Sequence, residues 1–221
     1  MIRSSNTQVL SDTGILTITY LGPVQYFTKF LLHEKLVIEK YENYSRQTFR
    51  NRCEIFGANG RIALSIPVRK GDEHKTLIKD VRIEYDKRWQ KLHWKSIESA
   101  YRSSPFFEYY MDDLIPFFLR KEKFLFDFNS GILTTILDIL EIPANIVFSG
   151  KYTENPDRVF NDYRESIHPK KNEQADPFFQ PEEYNQVFAG KHGFLPNLSI
   201  LDLVFNEGPN AAEILKKSIK K

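Results

Sequence analysis

The opening of this 221-residue sequence constrains its fold more than any other part. Gly14 to Tyr20, GILTITY, alternates Ile15, Thr17 and Thr19 against Leu16, Ile18 and Tyr20, the pattern of a buried strand. Gly22-Pro23 turns the chain, Pro23 suits a first helical position, and Tyr26, Phe27, Phe30 and Leu31 form a helical stripe. Leu36 to Glu39 is a second short strand. Strand, turn, helix and strand in quick succession predict a βαβ-like unit. A parallel sheet places ligands at the turn after its first strand, which brings Gln25 and Tyr26 within reach of one.

The next stretch, Glu42 to Val68, has two halves. Its second half is a hairpin: Cys53 to Phe56 and Arg61 to Ile66 are apolar, partly β-branched runs joined by Gly57-Ala58-Asn59-Gly60, and Asn-Gly supplies the positive-φ residues of a tight turn. Its first half carries Tyr44, Arg46, Phe49, Arg50, Asn51 and Arg52. Guanidinium groups bind carboxylate or phosphate in forked pairs and the Asn amide both donates and accepts, so Arg50, Asn51 and Arg52 are candidates for holding an anionic ligand. The alternative is that these arginines are solvated or form structural ion pairs.

Ile78 to Tyr85 alternates and predicts a further strand, giving about five strands in the first ~85 residues. The pattern then turns helical. Trp89, His93, Ile97 and Tyr101 step by four along one face, Ser104-Pro105 opens another helix that Pro116 ends or kinks at Ile115, and Phe128 to Leu140 marks a third. A short strand is expected at Ile146 to Phe148. Residues 149–192, broken by Pro156, Pro169, Pro177 and Pro181, read as a long loop or a lid. Asn197 is placed to cap a helix with Ile200, Leu201, Val204 and Phe205 on its apolar side, and Asn210 with Glu213 resembles a capping box for the terminal helix. The expected fold is α/β: a mixed sheet from the N-terminal part packed by helices from the C-terminal part, in one domain over 1–221 with a flexible end at 1–11.

Charge and cysteine content exclude some classes. The 31 Lys and Arg against 29 Asp and Glu leave a net +2, too little to imply nucleic acid as a partner. Cys53 is alone, so no internal disulfide forms. With no apolar run of membrane-spanning length and no N-terminal signal pattern, a cytoplasmic protein without a membrane span is expected. Histidines at 33, 74, 93, 168 and 192 have no metal-ligand spacing, and glycine-rich phosphate loops are absent, so neither metal nor cofactor is expected.

Among titratable residues, His93 is the first candidate for acid or base chemistry, because it titrates near neutrality on an aromatic helix face that Tyr101 shares. A core histidine satisfied by a carbonyl is the structural alternative. Asp202 is the second: with Ser199 and Asn206 it forms one polar stripe, and it either orients an imidazole or substrate amine or bonds the loop around Asn197. Cys53 opens an apolar strand and reads as a buried, inert thiol.

Several blocks then carry a resemblance. ENY followed by RNRC, NG and SIPV in the 42–68 stretch, TYLGPVQYF before it, and WQKLHW, AYRSSPFFEYY and GFLPNLSILDLVFNEGP after it resemble, in order, the WbqC-like family. Other members often have Gln-Pro and a Trp before the Gly-Tyr-Phe step and an Asp pair before the basic segment, where this chain reads Leu21-Gly22-Pro23-Val24-Gln25 and Lys40-Tyr41. The family is associated with O-antigen and other surface-polysaccharide gene clusters, and a glycine (aminoacyl) transferase role has been suggested for it. The resemblance thus implies transfer of an aminoacyl or acyl group to an amino sugar or sugar-nucleotide precursor, with a small-molecule donor and a sugar-containing acceptor as partners. In that scheme His93 is the base, Asp202 its orienting partner, and Gln25, Tyr26, Arg50, Asn51, Arg52, Tyr101, Asn197 and Asn206 bind substrate. A non-catalytic protein that binds a sugar nucleotide or a partner enzyme is the alternative.

Overall fold

The computed structural model describes residues 10–71, 75–154 and 160–220. The expected flexible end at 1–11 falls mostly outside them, as do His74 and Pro156. Strand β1 (Thr13–Thr17), helix α1 (Val24–Leu32) and strand β2 (Lys35–Glu39) form the expected βαβ unit, with β1 and β2 parallel and Ile15 opposite Val37. The turn between β1 and α1 is tight: Leu21 sits at φ 45, and a Cβ on Gly22 would lie 2.5 Å from the Thr19 hydroxyl. Only glycine fits there.

The α/β class holds, with its strands divided between two sheets. A parallel sheet has the order β5-β2-β1-β6, where β5 is Ile146–Phe148 and β6 is Phe160–Asp162. Half of its strands therefore come from beyond residue 145. The hairpin of β3 (Arg52–Gly57) and β4 (Gly60–Ser65) forms a separate antiparallel pair, with Gly60 at φ 101 in its turn. Helices α2 (Trp89–Tyr101), α3 (Phe107–Leu119), α4 (Leu125–Ile139), α5 (Ala189–His192), α6 (Ile200–Glu207) and α7 (Ala211–Lys217) complete the elements. One apolar cluster runs through both sheets and the long helices, from Leu16 and Ile38 through Ile55, Ile97 and Phe128 to Leu203.

Local expectations fail where tertiary partners override pattern. Ile78 to Tyr85 is not a strand: Ile78–Asp80 is a 3-10 turn, followed by single bridges Val68 to Ile83 and Arg82 to Phe124. Its amides find scattered acceptors, Ile78 N on Glu42 O and Ile83 N on Lys123 O, so alternation serves burial without a ladder. Pro116 does not end α3, which starts at Phe107 and runs to Leu119. The carbonyl that Pro116 cannot serve belongs to exposed Asp112, where water can reach it.

The described residues of 149–192 are mostly irregular, yet many of them are packed onto the rest of the chain. Beside β6 and α5, this segment buries Tyr163, Arg164, Ile167, Asp176, Phe179 and Gln186. The clamp is a consequence of α1, whose residues from Val24 to Phe30 are all buried, polar ones included. Lys29 Nζ meets Asp176 Oδ2 at 2.6 Å and Gln25 Nε2 donates to the same oxygen at 2.8 Å, so the segment supplies the charge that the buried lysine requires. Asn197, expected to cap the helix that follows it, caps α1 instead: at φ 54 its Oδ1 accepts from Gln25 N at 2.9 Å. Ser199 is the N-cap of α6. Asn210 forms no capping box with Glu213, since its Nδ2 donates to Glu207 Oε2 at 3.0 Å. Among the described residues no helix is long and apolar enough to cross a membrane.

Candidate functional site

The open end of the hairpin is the floor of a cleft of about 1020 Å³. Register explains the position. Arg52 pairs with Ser65, and just beyond the strands Asn51 and Ile66 hold each other, Ile66 N donating to Asn51 O at 2.8 Å and Asn51 Nδ2 to Ile66 O at 3.0 Å. Alternation along β3 then sends Cys53 and Ile55 into the core while Arg52 and Glu54 stay partly exposed. Helix α2 adds Trp89, Leu92 and His93 to the opposite wall, and the segments around Val68 and Glu84 close the sides.

This cleft is both basic and apolar. Arg46, Arg52, Arg69, Lys70 and Lys87 line it with two carboxylates, Glu84 and Asp86, and Arg52 Nη2 is already paired with Glu54 at 2.8 Å, which leaves a surplus of two positive charges. Tyr44, Ile66, Pro67, Val68, Trp89 and Leu92 supply the apolar surface. Three atoms of lining residues, the Trp89 Nε1 and Arg52 Nε donors and the Asn51 Oδ1 acceptor, are buried and meet no hydrogen-bond partner among the described residues. Buried polar atoms are normally paired, so these three mark unused hydrogen-bonding capacity in the wall.

His93 lines this cleft, but its chemistry is committed. Nδ1 lies 2.9 Å from the Tyr20 hydroxyl, and the Ser65 backbone favours the protonated ring. Burial drives the pKa of His93 down to about 4 against the opposing pull of Ser65, and the ring is neutral at pH 7. It therefore has the right charge for a base, yet Nδ1 is engaged by the hydroxyl of a buried tyrosine. Asp202 does not orient it.

Asp202 belongs to an interior network of its own. Its Oδ2 accepts from the Tyr184 hydroxyl at 2.8 Å and from Gln186 Nε2 at 2.7 Å. Burial pushes its pKa up to about 6, with Tyr184, Gln186 and Tyr101 pulling the other way. The Tyr101 hydroxyl accepts from Phe56 N at 3.1 Å, and Asn206 Nδ2 donates to the Asp202 carbonyl at 2.7 Å one turn earlier in the same helix. These three residues fasten α6 to α2, the hairpin and the 184–186 segment, and none of them lines the cleft.

The remaining candidates are likewise structural. Arg50 is buried, its Nε and Nη2 on the two carboxylate oxygens of Glu42 at 2.9 and 2.6 Å and Nη2 also on Glu165 at 3.2 Å. Arg50 and Arg52 do not share a face, because Arg50 sits in the turn before β3, where strand alternation does not apply. Tyr26 donates to the Thr17 carbonyl at 3.0 Å, and Gln25 is held by Asp176 and Asn197. The structure thus gathers Asn51, Arg52 and His93 into one cleft and leaves Gln25, Tyr26, Arg50, Tyr101, Asn197, Asp202 and Asn206 outside its lining. Sequence reading missed Trp89, Arg69, Lys70 and Lys87 as site residues. The available signal was the run of charge that follows the hairpin.

Among the described residues no three His, Cys, Asp or Glu are grouped to hold a metal ion. The family model for the WbqC-like protein family matches residues 19–165, a range that contains every residue of the cleft lining. A protein of Mycobacterium tuberculosis, Uncharacterized protein Rv1507c, is 24% identical over 229 residues, covering 94% of this chain and 98% of its own. No solved structure matches the chain.

Proposed function

The chain belongs to the WbqC-like protein family, and from that premise we propose that it transfers an aminoacyl (glycine) or acyl group to an amino sugar or sugar-nucleotide precursor of O-antigen or another surface polysaccharide, in the cytoplasm, with the anionic sugar-containing ligand in the basic cleft. The observation that carries this reading is the pairing of surplus positive charge with an apolar wall and three unpartnered polar atoms, Trp89 Nε1, Arg52 Nε and Asn51 Oδ1. Phosphate or carboxylate groups suit the rim cations, a sugar face suits Trp89 and Tyr44, and hydroxyl or amide groups suit the unpartnered atoms. In the transfer the acyl carbon breaks its bond to the donor's leaving group as it forms one to the attacking amine, and the amine gives up a proton. The wall carboxylates Glu84 and Asp86 are the acceptors within the cleft. Glu84 is a weaker base than an ordinary glutamate, its pKa held down by the backbone N–H groups of Tyr85 and Asp86. In this reading His93 positions the wall through Tyr20 and Ser65.

One observation favours the non-catalytic alternative: the one histidine in the cleft has its Nδ1 engaged by the buried Tyr20 hydroxyl. Thermal unfolding of the chain against a panel of sugar nucleotides and acyl donors, followed by mass spectrometry of the mixtures, separates the readings. A ligand that binds the folded state raises the midpoint. A rise that vanishes in Arg52→Ala, together with a new amide product, is expected. A rise without product moves the function to binding alone, and no rise with any compound in a folded sample removes both.

A further inference from the structure

Helix α2 turns one stripe to the core and another to solvent. Trp89, His93, Ile97, Ala100 and Tyr101 are buried. On the other side Arg88, Lys91, Leu92, Lys95, Ser99 and Arg102, spaced by three and four, are all exposed and form one line about 20 Å long. The line carries four cations and no carboxylate, and among the described residues none of the four forms an ion pair. Glu98, on its flank, is the one acid of α2 and pairs with neither Lys95 nor Arg102. In a chain whose total is +2 this is segregation of charge. The neighbouring helix holds the other half of it: α3, packed beside α2, exposes Glu108, Asp112 and Asp113.

Helix stability does not account for the stripe. The positive end of a helix dipole favours acids in the first turn, and α3, α4 and α7 follow that rule with Glu108, Asp127 and Glu213. Helix α2 has no acid in its first turn and puts Lys87, Arg88 and Lys91 at that end, where each works against the dipole. Leu92 stands among these cations, 62% exposed. Cations flanking an exposed apolar side chain on one helix face match a layer of anionic head groups, which the long side chains reach while the apolar residue dips between them. A folded protein is the poorer match, because a standard interface buries about 800 Å² per partner around apolar or aromatic anchors, and this stripe has a single one.

We propose that the solvent face of α2 is a docking surface for an anionic phospholipid membrane, on which the chain lies peripherally. Lys87 and Leu92 also line the basic cleft, so docking brings the mouth of the cleft to the membrane side. The proposal does not depend on what fills the cleft.

The test is sedimentation of the full chain with vesicles of phosphatidylcholine alone and of phosphatidylcholine mixed with phosphatidylglycerol, at low and at high salt. Lys91→Glu/Lys95→Glu reverses two charges of the stripe outside the cleft lining, Leu92→Ser removes the apolar contact, and Lys216→Glu/Lys217→Glu makes the same change of net charge on α7. All of these positions are exposed, and circular dichroism verifies that the variants fold. Binding to the mixed vesicles alone is expected, lost at high salt, weakened about tenfold or more by Lys91→Glu/Lys95→Glu, less by Leu92→Ser, and kept by the α7 pair. The proposal fails if the chain ignores the mixed vesicles, binds neutral ones equally well, or binds undiminished in Lys91→Glu/Lys95→Glu. An equal loss in the α7 pair would make net charge the cause and overturn it too. Salt-sensitive self-association that Lys91→Glu/Lys95→Glu abolishes, without vesicle binding, would assign the stripe to the acidic face of a second copy instead.

Discussion

The Tyr20 hydroxyl stands 2.9 Å from Nδ1 of His93, with the two rings stacked at 5.7 Å, and this pair ties the chain just beyond β1 to the wall of the basic cleft. Tyr20 is fully buried, so the bond has no solvent substitute. His93→Ala leaves the hydroxyl without an acceptor and removes a packed ring, and it is expected to cost about 2–4 kcal/mol of stability by urea denaturation at pH 7.

The same histidine sets a pH dependence. Its pKa is depressed on folding, from an ordinary 6.5 to about 4, so the unfolded chain binds its proton more tightly. The contribution of His93 to stability is present in full above pH 6.5 and is lost as pH falls towards 4, at most roughly 3 kcal/mol over the window. Denaturation curves from pH 4 to 7 should slope less in a His93→Gln variant. An unchanged slope would contradict the buried, neutral ring.

Asp202 has the opposite sign. Burial raises its pKa from 3.8 to about 6, so its charge opposes folding as pH rises through that interval and the full cost stands above pH 6. Asp202→Asn keeps an oxygen for Tyr184 and Gln186 and removes the charge. Relative to the parent, its melting temperature should therefore improve between pH 4 and 7.5, whereas Asp202→Ala should lose about 2–4 kcal/mol at all pH values through two stranded donors.

Arg50 and Glu42 form a forked pair, both nearly fully buried. Arg50→Ala leaves Glu42 charged in the interior and is expected to cost about 3–5 kcal/mol, with Glu42→Gln partly restoring stability in the double variant. Calorimetric melts of the two singles and the double check this. If Arg50→Ala melts like the parent, the pair is not structural.

Cys53 is 1% exposed, and its thiol is driven to a higher pKa mainly by burial. A thiolate is needed for reaction with disulfide reagents. The folded chain should thus label slowly with a chromogenic disulfide and release about one equivalent in denaturant. Rapid labelling under native conditions would return Cys53 to the list of possible nucleophiles.

Elements with a local cause were legible. The β1–α1–β2 unit, the Asn-Gly hairpin and α2 each follow from a period and its punctuation, and Asn51, Arg52 and His93 do meet at one cleft. Ile78 to Tyr85 misled, and the burial within 160–192 was not legible, for a shared reason. Alternation looked like strand and Pro-rich polar sequence looked solvent-facing, but the partners that decided both cases lie far away in the chain, Lys123 for Ile83 and Lys29 for Asp176.

Side-chain roles divide along the same line. Residue type by itself determined that Arg50, Arg52, His93 and Asp202 were the groups with charge or proton chemistry to offer, because that chemistry is intrinsic to each side chain. Only the tertiary structure decided how each was used. Glu42 neutralises Arg50, Tyr20 occupies His93, and Tyr184 with Gln186 encloses Asp202, while Arg52 remains partly exposed at the cleft. Burial makes an unpaired polar group costly, so the fold brings each one a partner: Tyr20 reaches His93 from 73 residues away, and even Glu42, eight residues from Arg50, becomes its partner only because the chain turns back between them, a geometry that residue type and spacing do not specify.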